Sequence, residues 1–380
     1  MDYSNKIYLT SLHMKHGGVE MVIASLANGF VQRGFDVEIL CTYQLGEPAY
    51  PLDDRVKVSY LTNDSPNREA FAEAVQHKNP FGIIREGLRA IGILHRKKST
   101  MKKAIKSIQD GTVISTRHEH SLLLSRYGAP QVKKIAQLHC DHQFDPKFIR
   151  GVQTGYQNID YFVLLTSQTQ KEVEGFLKGH VKPQCVTIPN FIDPPPNHLP
   201  TQKKHQVMAA GRLHPDKDFA SLLRIWAKVA KSHPDWILKI AGEGLLEQSL
   251  KQQSRDLEIE NQVCFTGPLP HDELLEEMAI SSCYALTSVS ESFGLVLVEA
   301  MSCKTPPVAF DVRVGPASIL EDGKSGFLVP DRDEDVFAQR LCQLMDNAVL
   351  RDQMGQKAAK RAEDFYCDKV LDQWMHLLRS

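Results

Sequence analysis

Two glutamates, Glu291 and Glu299, lie eight positions apart around a Ser-Phe-Gly turn and the apolar residues that follow it. Eight helical residues rotate by about 800°, roughly 80° beyond two full turns, so two helical carboxylates would be poorly aligned. A turn at 292–294 removes that restriction, because only Glu299 then needs to be helical. The free N–H groups at the start of the helix favour a phosphate, and carboxylates accept hydrogen bonds from sugar hydroxyls. This segment therefore suits a nucleotide-sugar.

Two cations, Arg212 and Lys217, follow the strand-like segment Val207–Ala210. Open α/β folds bind ligands at the carboxyl ends of their parallel strands. Arginine offers a two-pronged donor and lysine a point charge, a combination suited to a diphosphate. The alternative is that both are surface cations beside Asp216 and Asp218.

A glycine pair, Gly17-Gly18, lies between the first strand-like segment and the first helix-like segment. Glycine lets the backbone approach a ligand closely, and the start of the following helix favours an anion. The pair is not part of a GxGxxG sequence, so a nicotinamide-binding turn is not supported. A plain tight turn is the alternative.

Several imidazoles follow two neighbouring strand-like segments and could bind a metal together with Glu119. They are His118, His120, His139 and His142. The competing interpretation is an acceptor pocket, in which Arg117, His118 and Glu119 hydrogen-bond to a polyol. No HExxH sequence is present, and the sequence favours the pocket without a metal.

Strand-like and helix-like segments alternate along the whole chain in two series, which predicts two parallel sheets with crossover helices. Five prolines within 189–200 interrupt the alternation and predict a stiff connector. We expect a Rossmann-like N-terminal domain over 1–198 that binds the acceptor. A second Rossmann-like domain over 199–360 would bind the nucleotide-sugar, and a C-terminal helix over 361–380 would return to the first domain.

The chain has 380 residues, of which 42% are hydrophobic and 24% charged, and its net charge is −1. That charge argues against a nucleic-acid partner. It hides a division, because residues 1–198 carry +5 and the remainder −6. The N-terminus lacks the pattern of a secretory signal, and the eight cysteines form no CxxC pair. These features predict a cytoplasmic protein with reduced thiols.

The positive charge is concentrated in 78–106, where nine basic residues and one acid, Glu86, alternate with apolar ones. This composition is typical of a helix that lies on anionic lipid headgroups. The alternative is an ordinary helix with a solvated face. We therefore predict peripheral contact with the inner face of the cell membrane.

Taken together, these motifs resemble retaining glycosyltransferases of the GT-B fold, in particular glycosyltransferase family four, whose bacterial members build surface glycans. The resemblance is carried by ESFGLVLVEAM from Glu291, GRLHPDK from Gly211, TGPLPHDEL from Thr266 and GPASILEDGKSGFLVP from Gly315. It implies an α/β architecture in which two Rossmann-like parallel-sheet domains face each other across a cleft.

The resemblance also implies roles for individual residues. Arg212 and Lys217 would stabilise the donor diphosphate as it leaves, Glu291 would bind the transferred sugar, and Glu299 would bind the ribose. The remaining donor contacts would come from Gly17, Gly18, Gly267, Pro268, Phe293, Gly294, Leu295 and Val296. His139 would be the catalytic histidine near the sugar and the acceptor.

The expected activity is transfer of a hexose or N-acetylhexosamine, with retention, from a UDP-linked donor to a glycan, polyol or lipid-linked acceptor. No cofactor or metal is expected. The alternatives are a nucleotide-sugar epimerase or a phosphorylase on the same scaffold, and a non-catalytic module that binds glycans or membranes.

Overall fold

The computed structural model describes residues 5–15, 17–198, 200 and 202–380. The chain forms two compact units. The first runs to Leu165 and resumes over Thr169–Ile188 and Leu371–Ser380, and the second comprises Thr166–Gln168 and Pro189–Val370. Residues 1–4 of the N-terminal segment and Leu199, the predicted first residue of the second domain, lie outside the described residues.

The first unit contains a parallel sheet of seven strands among the described residues, in the order β3-β2-β1-β4-β5-β6-β7. The strands are β1 (Lys6–Ser11), β2 (Asp36–Tyr43), β3 (Lys57–Thr62), β4 (Thr112–Ser115), β5 (Lys133–Gln137), β6 (Tyr161–Leu164) and β7 (Gln184–Thr187). The helices are α1 (Gly18–Gln32), α2 (Arg68–Gln76), α3 (Pro80–Ser107), α4 (His118–Tyr127), α5 (Pro146–Gly155) and α6 (Ser167–Phe176). The central strands are almost wholly buried, as in sheets covered on both faces.

The second unit repeats this plan with six parallel strands among the described residues, in the order β10-β9-β8-β11-β12-β13. They are β8 (Lys204–Ala210), β9 (Ile237–Ala241), β10 (Val263–Gly267), β11 (Ser281–Leu286), β12 (Pro307–Asp311) and β13 (Phe327–Pro330). The helices are α7 (Phe219–Ala230), α8 (Glu247–Asp256), α9 (His271–Ile280), α10 (Leu295–Ser302), α11 (Pro316–Ile319), α12 (Glu334–Asp346), α13 (Ala348–Ala362) and α14 (Cys367–Arg379).

The last helix, α14, begins in the second unit and ends in the first. Its Trp374 is fully buried and packs edge-on against Phe30 of α1, with ring centroids 5.8 Å apart. The ammonium of Lys133 donates hydrogen bonds to the carbonyls of Leu377 and Leu378 at 3.2 and 2.8 Å, close to the C-terminal end of the helix, where a positive charge is favourable. These contacts attach the end of the chain to the first unit.

The sequence predicts two series of strands that alternate with helices, and the structure contains both series. Two predicted boundaries, the end of the first domain and the start of the C-terminal helix, differ from the structure. The units divide at Ile188 and Pro189, ten residues before the predicted end at 198, because the proline-rich connector belongs to the second unit. The predicted C-terminal helix from 361 is three pieces in the structure: the end of α13, a 3-10 turn over Glu363–Phe365, and α14 from Cys367.

Two glycines bring the ends of β8 and β9 together in the second unit. Gly242 follows β9 with φ 139°, and a Cβ atom at this position would lie 1.9 Å from the carbonyl oxygen of Gly211. No side chain fits there, so the backbones can touch. The Gly211 turn that leads to Arg212 is thereby held at the carboxyl end of the sheet.

Candidate active site

The centre of the candidate site is an ion pair between Lys217 and Glu291. The lysine Nζ lies 2.5 Å from Oε1 of the glutamate, and both side chains are mostly buried, with 21% and 10% exposed. The Ser288 hydroxyl donates a second hydrogen bond, 2.7 Å long, to the same oxygen. Two predicted donor-site residues that are 74 positions apart in sequence are therefore in direct contact.

The turn that carries Lys217 is a single 3-10 turn over Pro215–Lys217. Asp218 follows it with φ 45°, caps α7, and accepts a 2.6 Å hydrogen bond from the Ser221 hydroxyl. The Val289 amide donates to the carbonyl of Asp216 at 2.8 Å. These bonds tie the lysine turn to the loop that carries Glu291.

Arg332, two residues after the end of β13, contacts both the lysine turn and the loop that carries Glu291. Its guanidinium donates to the Asp218 carboxylate and to the Ser288 carbonyl, both at 2.6 Å, and it lies 4.3 Å above the Phe310 ring. A rigid planar group that spans both loops fixes their separation. Arg332 is therefore a positioning residue for Lys217 and Glu291.

Arg212 differs from Lys217 in being free to meet a ligand. Its side chain is 76% exposed, and its contact with Asp216 is 3.5 Å long. His214 takes the other oxygen of Asp216 at 2.6 Å. An exposed pair of this length is weak, so it leaves the guanidinium available.

The loop after Glu291 enters α10 through a conformation that requires glycine. Gly294 caps the helix with φ 100°. Gly315 lies against this loop with φ 104°, and a Cβ atom there would lie 2.6 Å from the carbonyl oxygen of Phe293. Phe293 is buried and packs edge-on against Phe365 at 5.6 Å. Leu295 and Val296 form the first turn of α10.

Glu299 lies on α10 and is 6% exposed. Burial raises the pKa of its carboxyl, and the nearby imidazole of His271 opposes that rise. The two groups are 3.9 Å apart. As predicted, Glu291 lies in the loop and Glu299 in the helix. Gly267 is the last residue of β10 and Pro268 follows it; Gly267 has φ 73°, and its carbonyl accepts a 2.8 Å hydrogen bond from the amide of Gly242.

In the first unit, the glycine turn is built over a buried carboxylate. Glu20 of α1 is 4% exposed and accepts a 3.0 Å hydrogen bond from the Arg117 guanidinium. A Cβ atom on Gly17 would lie 2.1 Å from the other oxygen of Glu20, so a side chain there would displace this carboxylate. Gly18, by contrast, has open space around it.

The structure does not bring the predicted acceptor residues together. Arg117 points to Glu20, and His118 hydrogen-bonds to the Tyr156 hydroxyl at 2.9 Å. Glu119 is half exposed and pairs with Lys97 at 2.6 Å. Three consecutive residues at the start of α4 project in three directions because the helix turns about 100° per residue.

The histidines are also dispersed. His120 hydrogen-bonds to Thr10 at 3.0 Å, whereas His142 lies 2.8 Å from the Glu172 carboxylate. His139 follows β5, and burial together with the charge of Arg117 lowers its pKa to about 3. Among the described residues, no group of three or more histidine, cysteine, aspartate or glutamate side chains is arranged to hold a metal ion. His139 is therefore a neutral imidazole near the Arg117 cation.

The buried His120 should make the first unit labile to acid. Burial lowers its pKa to about 4, whereas an unfolded histidine titrates near 6.5. The stabilising contribution is complete above pH 6.5 and is lost as the pH falls towards 4, by up to roughly 3 kcal/mol in total. We expect denaturant unfolding of His120→Gln to show a shallower loss of stability between pH 6.5 and 4. An unchanged slope would contradict this assignment.

Two parallel α/β units of this kind are the features of the GT-B fold. Residues 193–361 match the family model described as glycosyl transferases group 1. The chain therefore carries a glycosyltransferase group 1 domain, and the predicted resemblance is confirmed.

The chain is also similar to several curated proteins and to a solved structure. The chain is 29% identical over 383 residues to an exopolysaccharide phosphotransferase of Streptomyces coelicolor, covering 95% of this chain and 39% of that protein. It is 25% identical to the amylovoran biosynthesis glycosyltransferase AmsD of Erwinia amylovora, covering 95% and 96%. Staphylococcus aureus TarM, solved with fondaparinux, α-GlcNAc-glycerol and UDP, superposes with a TM-score of 0.77 at 18% identity, covering 99% and 100%. This likeness confirms the GT-B fold.

Sequence reasoning missed Glu20, Ser288 and Arg332. Glu20 could have been found, because it is an acid on the apolar face of α1 and a carboxylate buried there needs a partner. Arg332 had no such signal, since its partner Asp218 is 114 positions away. Its neighbour Asp333 caps α12.

Proposed function

We propose that this chain is a retaining glycosyltransferase that moves a hexose or N-acetylhexosamine from a UDP-linked donor to a glycan, polyol or lipid-linked acceptor. The observation that carries the proposal is the Lys217–Glu291 pair, held at 2.5 Å at the carboxyl ends of the second sheet. A carboxylate beside a cation provides one group for sugar hydroxyls and one for a diphosphate.

In this proposal the bond between the anomeric carbon and the diphosphate oxygen breaks, and negative charge develops on the leaving group. Lys217 and the exposed Arg212 stabilise that charge, which is the largest contribution to the rate. Because two cations are already present, transfer needs no divalent metal. The acceptor oxygen bonds to the anomeric carbon on the face from which the diphosphate departs, and its proton passes to the departing diphosphate oxygen, so the configuration is retained.

The other groups orient the donor. Glu291 accepts hydrogen bonds from the sugar, and its second oxygen remains available for this contact. The Glu299 carboxylate, buried beside His271, accepts the ribose hydroxyls. The amides of Phe293, Leu295 and Val296 supply donors at the start of α10, where anions are favoured.

For the acceptor we propose the surroundings of His139 and Arg117 in the first unit. The Nε2 atom of His139 and the Nε atom of Arg117 are both buried without a hydrogen-bond partner. Such atoms are costly unless a ligand satisfies them. The names of the relatives place them in exopolysaccharide and amylovoran synthesis, which supports a role for this chain in bacterial surface glycans.

The proposal is tested by screening UDP- and GDP-linked sugars for hydrolysis in EDTA, and then for transfer to glycan, polyol and lipid-linked acceptors. We expect UDP release with one class of hexose donor. An epimerised nucleotide-sugar formed without acceptor would favour the epimerase, and the absence of any nucleotide-sugar binding would favour a non-catalytic module.

We also propose that the chain associates peripherally with anionic membranes through α3. Five apolar residues recur every three or four positions along one exposed stripe of this helix, which we call the α3 stripe. They are Phe81, Ile84, Leu88, Ile91 and Leu94, exposed by 84, 62, 66, 65 and 61%. Lys98, Lys102 and Lys106 continue the same helical face. Within the described residues, no helix combines the length and hydropathy needed to cross a membrane.

Charge reversal of α3 should release the protein from vesicles. Reversing Lys98, Lys102 and Lys103 to glutamate should weaken flotation with vesicles of 30 mol% phosphatidylglycerol more than tenfold, because each cation contributes roughly 1 kcal/mol near such a surface. Lys97 is left intact, since it pairs with Glu119.

The control for this variant has the same net charge, with exposed Lys147, Lys171 and Lys178 reversed instead. It should float like the wild type at low salt, and raising the salt should weaken both. Equal flotation of the two variants would show that α3 is not the membrane contact.

A further inference from the structure

Beside the α3 stripe lies a cavity that the proposed transfer reaction does not use. Its volume is about 720 Å³, and it runs along α4 between α3 and the end of α5. At one side Gly155 lies so close to α4 that a Cβ atom would approach Leu122 Cδ2 to 2.2 Å. The cavity is therefore a space between closely packed helices of one unit.

The lining of the cavity is divided between apolar and basic groups. Leu94, Leu122 and Leu123 supply the apolar part, and Lys97, Lys98 and Arg126 supply the cations. Glu119 also lines it, but that carboxylate is paired with Lys97. His120 adds no charge at neutral pH, because burial lowers its pKa to about 4. The lining is consequently positive.

The cations extend around the ring of Tyr127, which lines the cavity. Lys102, Lys106 and Arg126 lie 4.4, 5.5 and 5.4 Å from the centre of that ring. In the part of the chain that the structure describes, none of these three cations has an acidic partner within 4.0 Å. Three like charges around one ring favour an anion from outside the chain.

Leu94 belongs both to the α3 stripe and to the cavity lining, so the cavity opens beside the surface that we propose meets the membrane. We infer that the cavity binds one phosphate-bearing lipid from that membrane. The phosphate lies among Lys98, Arg126 and the cations around Tyr127, and the chain lies against Leu94, Leu122 and Leu123. This inference rests on the proposed membrane association and concerns neither the donor nor the transferred sugar.

The charge and shape of the cavity select this occupant. A free phosphate would use the cations and leave the leucines exposed to water, whereas a purely apolar ligand would leave the cations without an anion. A lipid phosphate satisfies both parts of the lining. A bound lipid would also hold α3 at a fixed depth, because Lys97 and Lys98 belong to the same helix as the α3 stripe.

The test uses monomeric dihexanoyl phosphatidylglycerol below its critical micelle concentration, titrated calorimetrically into the whole chain without vesicles. We expect one molecule to bind per chain. Thr154→Trp fills the mouth of the cavity, and Arg126→Glu reverses a lining cation; each should weaken binding at least tenfold. Lys103→Glu is the matched control, because Lys103 is an exposed cation of α3 outside the lining, and this variant should bind as the wild type does.

The inference would be overturned by no binding to the wild type, by equal binding to Thr154→Trp, or by equal binding of dihexanoyl phosphatidylcholine. Glycerol 3-phosphate binding as tightly as the lipid would overturn it in favour of a free-phosphate site. The membrane proposal fails separately, if wild-type chain does not float with anionic vesicles. Thr154→Trp should still float, because Thr154 lies outside the α3 stripe.

Discussion

Glu291→Gln should reduce kcat/KM for sugar transfer by on the order of 10³-fold while the chain stays folded. The amide keeps one oxygen that can accept from Lys217 and Ser288, so the loop keeps its two anchors. It replaces the second oxygen, which would accept a sugar hydroxyl, by an NH2 donor, and it removes the negative charge. The measurement is initial rate against donor concentration, with thermal unfolding of the same preparation.

The matched control for this substitution is Glu321→Gln. Glu321 is also a glutamate of the second unit, but it is exposed and paired only loosely with Lys324 at 3.6 Å. The Glu321→Gln substitution should leave kcat/KM for sugar transfer within about a factor of two of the wild-type value, as is usual for surface substitutions. Full activity of the Glu291→Gln variant would show that Glu291 does not take part in sugar transfer.

Loss of either cation should weaken binding of the nucleoside diphosphate. We expect Arg212→Met and Lys217→Met each to raise the Kd for UDP at least tenfold and to lower kcat about 10²-fold, because the charge of the leaving group is no longer neutralised. Methionine keeps most of the apolar stem, so the comparison isolates the charge. Calorimetry gives the Kd, and steady-state rates give kcat.

The two cation variants should differ in stability. Arg212 is 76% exposed, so its replacement should leave the unfolding temperature unchanged. Lys217 pairs with a glutamate that is 10% exposed, and its replacement leaves that carboxylate buried without a cation, which lowers stability. Lys324→Met, at an exposed lysine of the same unit, is the control. UDP affinity that stays at the wild-type value in both cation variants would contradict the assignment.

Much of this fold can be predicted because its strands are short apolar runs between helices of clear periodicity. The strands β8 to β13 and the placement of Glu299 on a helix and Glu291 before it follow from local pattern alone. The end of the first unit does not, because the prolines of 189–200 indicate a connector without indicating which unit it joins.

Side-chain direction is what the sequence could not supply. Arg117, His118 and Glu119 are adjacent and polar, which suggested a single pocket, yet the start of α4 sends them to Glu20, Tyr156 and Lys97. The role of Arg332 depends on a contact across 114 positions. Such contacts are set by how the strands are ordered in the sheet, which no local pattern contains.

The structure shows how the basic and apolar residues of 78–106 are arranged on α3. The sequence predicts a basic amphipathic helix, and the structure leaves its apolar residues exposed along one stripe of α3. It also shows a cavity lined by Lys97, Lys98 and Arg126 next to that stripe. The proposed membrane contact and the proposed lipid site therefore lie side by side in the first unit.

The central claim, retaining transfer from a UDP-sugar at the Lys217–Glu291 site, is tested most directly by following donor hydrolysis without acceptor by proton NMR. With an α-linked UDP-hexose, we expect the α-anomer of the free sugar to appear first, ahead of mutarotation, and Glu291→Gln to abolish the signal. Initial release of the β-anomer, or release at the wild-type rate by Glu291→Gln, would contradict it.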